Sequence, residues 1–123
     1  MSEADATPNK KLDCTWPEAR LAPRGTRVAD EALARVLAGE EFLVFDGAMG
    51  TQLQERGLAA GELPELLCLT NPDEVTQIHA AYVAAGADVV TTNTFGANQD
   101  KLGTAATVEE IFDAAVACAR RSG

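Results

Sequence analysis

Two short runs constrain this chain more than any other feature: Phe42-Leu43-Val44-Phe45 and Val89-Val90-Thr91-Thr92. Each is four residues long and rich in β-branched or aromatic side chains, which predicts strands. The first is apolar at every position, the pattern of a strand covered on both faces in a parallel sheet. Between them lies the clearest helical pattern in the chain. Asn71 stands at the N-cap, Pro72 at the first helical position, and Asp73 and Glu74 in the first turn, where the helix end is positive. Val75, Ile78, Tyr82 and Val83 form its apolar stripe, and Gly86 closes it. Strands that alternate with amphipathic helices mean parallel βαβ units, an α/β fold.

Other helices extend the pattern on both sides. One is predicted from Asp30, its cap, to Leu37, with Leu33, Val36 and Leu37 on one face and Gly39 at its end. Thr51 to Arg56 make a short helix that Gly57 stops, and residues 58–70 are a long connection with Gly61 and Pro64. The last helix opens on the capping box Thr107-x-x-Glu110 and places Val108, Ile111, Phe112, Ala115, Val116 and Ala119 on one face. Arg120 and Arg121 suit its C-terminal end. Residues 1–27 are polar, with Pro8, Pro17 and Pro23, and read as a flexible arm in which Trp16 is a possible anchor; residues 28–123 hold the structured part. Two parallel strands are too few for a sheet of their own, so a second copy or more chain is expected to cover them.

Composition narrows the partners. The 123 residues suit one small domain and carry a net charge of −9. Residues 1–27 hold five basic and four acidic side chains, so the acidity belongs to the remainder. An acidic body argues against nucleic acid and against an anionic membrane surface. No run approaches the ~18 apolar residues of a membrane span, and no apolar segment of a secretory signal follows the N-terminus. Cys14, Cys68 and Cys118 are odd in number and widely spaced, which fits small apolar fillers in a reducing, cytoplasmic setting rather than a metal or redox pair.

Parallel strands open their carboxyl ends on one face, where α/β proteins keep their sites. The turn Asp46-Gly47-Ala48-Met49-Gly50 follows the first strand, and Thr91 to Thr94 end the second, so the two are expected to meet. Gly47 and Gly50 would permit positive φ and close approach of a ligand. Successive N–H groups there could hold a carboxylate or phosphate, and Asp46 would suit an ammonium group. Together they describe an amino-acid binder; a tight turn capped by Asp46 fits the same residues. Asn93 and the hydroxyls of Thr92 and Thr94 could hold a polar substrate or bond the local backbone. The chain has no P-loop and no dinucleotide fingerprint. His79, the one histidine, reads as core edge rather than as an acid–base group, and no serine–histidine pair is credible. No catalytic residue and no metal ligand is assigned.

With those residues laid out, FDGAMGTQLQERGL, NPDEVTQIHAAYVAAGADVVTTNTFGAN and the helix after them resemble the homocysteine S-methyltransferase family, in the form its homocysteine-binding domain takes in cobalamin-dependent methionine synthases. The resemblance covers roughly residues 33–121. It implies a (β/α)₈ TIM barrel whose top face binds L-homocysteine, and a zinc ion that makes the homocysteine sulfur a thiolate for methyl transfer to methionine. It also implies cobalamin and methyltetrahydrofolate on other domains. By the same resemblance, Asp46 would sit near the homocysteine amino group. The backbone of Gly47, Ala48, Met49 and Gly50 would cradle its carboxylate, and Asn93 and Thr94 would line the pocket.

The chain also departs from that family. A (β/α)₈ barrel takes about 200 residues or more, so two βα units make an incomplete barrel with an open edge suited to self-association. The family's zinc ligands are a lone cysteine and a later Cys-Cys pair, which this chain lacks, so they are expected beyond residue 123. Two alternatives stay open. One is a truncated, non-catalytic fragment serving as an assembly or amino-acid-binding module. The other is a methyltransferase that uses betaine or S-methylmethionine instead of cobalamin.

Overall fold

The computed structural model describes residues 28–123. The arm of residues 1–27, with Trp16 and Cys14, lies outside the described residues. The chain divides into two units, residues 1–41 and 42–123.

In the first unit the described residues form α1, Glu31–Leu37. The Asp30 side chain caps it by accepting from the Leu33 N–H at 2.8 Å. Gly39, just past its end, takes φ 78°, a left-handed value that costs glycine little. Arg35 and Glu41 pair at 2.7 Å on an exposed surface. The expected apolar face is present in sequence, yet no residue of α1 is buried.

The second unit is mainly helical: α2 (Met49–Glu55), a 3₁₀ turn (Pro64–Leu66) running into α3 (Leu67–Thr70), α4 (Pro72–Ala84), α5 (Gln99–Leu102) and α6 (Val108–Arg120). Only α4 and α6 are long, and they pack against each other and against α3. One core cluster joins Cys68, Val75, Ala115 and Cys118, with Met49 packed on it; another joins Leu102, Ala106 and Ile111. Both expected fillers among the described cysteines are thus buried free thiols.

The two predicted strands shrink to one parallel bridge, Phe45 to Val89. The Asp46 N–H donates to the Val89 carbonyl at 2.9 Å, and the Asp88 and Val89 N–H groups donate to the Val44 carbonyl at 2.8 and 3.1 Å. Among the described residues no further strand lies beside the pair, so it gains few ladder bonds, which limits its length. Burial departs from expectation for the same reason: Phe42 is 81% exposed and Phe45 64%.

Other corrections are local. The connection 58–70 is not featureless, because Pro64 starts a turn that becomes α3. Asn71 does not cap α4 through its side chain; its amide donates instead to Glu74 Oε2 at 2.9 Å. The buried face of α6 is Ile111, Ala115 and Cys118, while Phe112 and Val116 remain exposed. The capping box forms as predicted: the Glu110 N–H donates to Thr107 Oγ1, and the Thr107 N–H to Glu110 Oε2. No helix among the described residues is long and apolar enough to cross a membrane.

Candidate functional site

The bridge sets the site by where it stops. At one end, Asp88 Oδ2 accepts the Val44 N–H at 2.9 Å. At the other, the Thr91 N–H donates to Asp46 Oδ2 at 2.8 Å and the Thr91 hydroxyl to Asp46 Oδ1 at 2.9 Å. Two aspartates thus take over the rungs that the short ladder lacks. Asp46 and the polar run after the second strand do meet, through a pair of charge-assisted bonds. Both Asp46 oxygens are engaged in this stitching.

The polypeptide beyond the bridge encloses a cleft of about 430 Å³. Residues 46–50 form one wall and Thr91, Thr92 and Asn93 another, with Pro64, Glu65 and Phe95 completing it. Its size is at the low end for small-ligand pockets, right for an amino acid and too small for a corrinoid. Among the described residues, two acids and no basic side chain line it. Six of the seven residues singled out from sequence, Asp46 to Gly50 and Asn93, therefore share one cleft. Thr94 does not line it; its hydroxyl shares a hydrogen bond with that of Thr92 at 3.0 Å.

The positive φ expected of Gly47 and Gly50 is absent, and Gly47 serves close packing. A Cβ on Gly47 would lie 2.8 Å from the Tyr82 hydroxyl, so the absent side chain lets α4 approach the turn. The Tyr82 hydroxyl then donates to the Ala48 carbonyl at 3.0 Å. Ala48 caps α2 with no side-chain bond, leaving the first N–H groups of that helix for another acceptor.

Asn93 is 6% exposed. Its amide donates to the Pro64 carbonyl at 2.8 Å and makes a longer contact of 3.6 Å with Cys68 Sγ. Burial, helped by nearby Cys118, pushes the Cys68 thiol up to about 12. That is opposite to what a thiolate ligand or nucleophile needs. No group of three His, Cys, Asp or Glu side chains suited to a metal occurs among the described residues. These residues do not fit the zinc that the resemblance implies.

Sequence reasoning missed Glu65. It is 4% exposed, and its Oε1 accepts the Gly96 N–H at 2.6 Å. A signal was present: an acid inside the otherwise apolar run Leu63-Pro64-Glu65-Leu66-Leu67. His79 was placed too near the surface. It is fully buried, neither ring nitrogen has a hydrogen-bond partner, and burial holds its pKa below the usual 6.5 against an opposing pull from Asp46.

A parallel bridge ends in a small acidic cleft, and comparison with known proteins assigns the family of the chain. A homocysteine S-methyltransferase family model matches residues 43–123, and the chain belongs to that family. Methionine synthase of Mycobacterium leprae (strain TN) is 42% identical over 90 residues, 68% of this chain and 7% of that protein. The methionine synthase of Mycobacterium tuberculosis (strain ATCC 25618 / H37Rv) is also 42% identical over 90 residues, 68% of this chain and 8% of its own length. Betaine–homocysteine S-methyltransferase 1 of Sus scrofa is 32% identical over 83 residues, 67% of this chain and 30% of that protein. The chain therefore spans less than a third of each of these relatives.

Proposed function

We propose that this chain is the opening part of a homocysteine-binding (β/α)₈ barrel and that its cleft takes L-homocysteine for methyl transfer to the substrate sulfur. The observation that carries this reading is the joining of Asp46 to Thr91, which sets DGAMG and the residues Thr92, Asn93 and Phe95 around one amino-acid-sized cleft. Backbone N–H groups of the 47–50 turn are suited to the substrate carboxylate, and the acidic wall to its ammonium group. The methionine synthase branch is favoured by 42% identity against 32% for the betaine enzyme. In that branch, cobalamin, methyltetrahydrofolate and the zinc ligands would belong to other parts of the parent protein. Bound zinc would lower the pKa of the substrate thiol. The described residues hold the amino-acid end of the substrate.

Isothermal titration with L-homocysteine under reducing conditions tests this reading. Saturable binding that weakens at least about tenfold in Asp46→Ala, from loss of charge-assisted bonds and of the turn they hold, is the expected result. Absence of saturable binding would remove the homocysteine reading.

The exposed Phe42 and Phe45 favour a second reading, an assembly module without catalysis. A defined oligomer that binds no homocysteine would select it.

A further inference from the structure

The turn that forms one wall of the cleft is held at three points. Asp46 is tied to Thr91 by hydrogen bonds of 2.8 and 2.9 Å, which fix the start of the turn. Met49 packs against the core cluster of Cys68, Val75, Ala115 and Cys118, which fixes its far end. Between them lie Gly47 and Ala48, both exposed and with almost no side chain to pack. The third hold acts there. The Tyr82 hydroxyl, on α4, donates to the Ala48 carbonyl at 3.0 Å. The ring lies close enough that a Cβ on Gly47 would stand 2.8 Å from the hydroxyl and 3.0 Å from Cε1.

Ala48 and Met49 line the cleft, whereas Tyr82 lines a separate hollow with Gln52, Ile78 and Ala81. The peptide between Ala48 and Met49 is trans. A planar trans peptide points its N–H opposite to its C=O. Anchoring the Ala48 carbonyl on α4 therefore turns the N–H of that peptide away from α4. The anchor is firm, because α4 is 13 residues long and buries Val75, Ile78 and His79. One hydroxyl thus sets the rotation of a peptide unit that side-chain packing does not fix.

We propose that Tyr82 is a positioning residue for the cleft: by holding the Ala48 carbonyl, its hydroxyl aims the backbone N–H groups of the 47–50 turn at the carboxylate of the amino-acid ligand. The inference rests on the proposed homocysteine reading and deepens it, since it places control of the carboxylate contact on α4 rather than on the turn itself. The two ends of the peptide also reinforce each other. A carboxylate accepting from the N–H polarises the unit and strengthens the bond from Tyr82 to the carbonyl.

Two ligands test this role: L-homocysteine and its analogue without the carboxylate, 3-aminopropane-1-thiol. Tyr82→Phe removes the hydroxyl and keeps the ring against Gly47. The variant is expected to bind L-homocysteine about threefold to tenfold more weakly, the worth of one hydrogen bond, while its affinity for the analogue stays within twofold. Any other pattern, equal weakening of both ligands or no change in either included, overturns the proposal and leaves Tyr82 a packing residue. The unaltered protein supplies a second readout should the variant unfold. The ¹³C resonance of Tyr82 Cζ is expected to shift on addition of L-homocysteine and to stay in place with the analogue. The same response to both, or no response to L-homocysteine, also overturns it. If the unaltered protein does not bind L-homocysteine, the homocysteine reading falls and this inference falls with it; if it binds and Tyr82 does not discriminate, only the inference fails.

Discussion

His79 shows how a single residue can be legible in kind and misjudged in depth. Val75, Ile78, His79 and Tyr82 occupy the i, i+3, i+4 and i+7 positions of α4, and the first three are fully or almost fully buried. The histidine therefore takes an apolar position. Hydropathy places it at the margin, because the type is polar, while helical geometry puts it inside. Its neutral ring carries one donor and one acceptor, and neither is met. Replacing such a group by an apolar side chain of similar size removes a penalty of roughly 1–3 kcal/mol. His79→Leu is accordingly expected to raise stability by about 1 kcal/mol at neutral pH, read from urea unfolding. The pH dependence has a definite sign. The folded pKa lies below 6.5, so the unfolded chain binds the extra proton first. Stability is full above 6.5 and falls as pH drops from there toward the folded pKa. The variant is expected to lose that slope, and a slope unchanged between pH 7 and 5 would assign it to other groups.

At the scale of elements, legibility followed local chemistry. The capping box of α6 was readable because its bonds join residues three apart. Thr107→Ala should cost about 1 kcal/mol, measured by thermal or urea unfolding. Hydrogen bonds from Thr107 hold the Glu110 carboxyl below its ordinary 4.5, so the contribution of this cap is present above that value and fades as pH falls through the folded pKa. A cost of Thr107→Ala that is the same at pH 7 and at pH 3 would show that the bond from Thr107 to the Glu110 carboxylate adds nothing to the cap. Elements that depend on distant partners were harder to read. α3 forms where Leu67 and Cys68 pack on α4 and α6, and nothing within residues 58–70 announces that packing. α5 rests on the Asn98 cap, whose Oδ1 accepts the Lys101 N–H at 3.0 Å, a four-residue helix too short to show a period. The two strand runs were legible in position, and a parallel bridge joins them. Their length was not, because a ladder grows only with neighbours to pair with. The cleft shows the same division. Asp46 and Asn93 stand at strand ends and could be found from order alone, whereas Glu65 enters from a connection that carried no periodic signal.

For the molecule as a whole, the balance between a small core and a large uncovered apolar surface decides its behaviour in solution. The buried apolar set of the second unit is drawn mostly from small and medium side chains, and four of the chain's aromatic rings are exposed: Phe42, Phe45, Phe95 and Phe112. Val44 is also open, beside the backbone of the parallel bridge. Unpaired strand edges and adjoining apolar side chains favour association with a like surface. The net charge of −9 opposes this at low ionic strength, because like-charged copies repel. Salt screens that repulsion within ~8–10 Å near physiological strength, while apolar attraction persists. Self-association should therefore rise with both protein and salt concentration. Light scattering at ~100 μM is expected to give an apparent mass above 12.9 kDa, larger in 0.5 M than in 0.05 M sodium chloride. Phe42→Ser with Phe45→Ser should lower the mass toward that of a single chain. A single-chain mass at both salt concentrations would mean that the exposed rings are not an association surface, and the assembly reading would lose its basis.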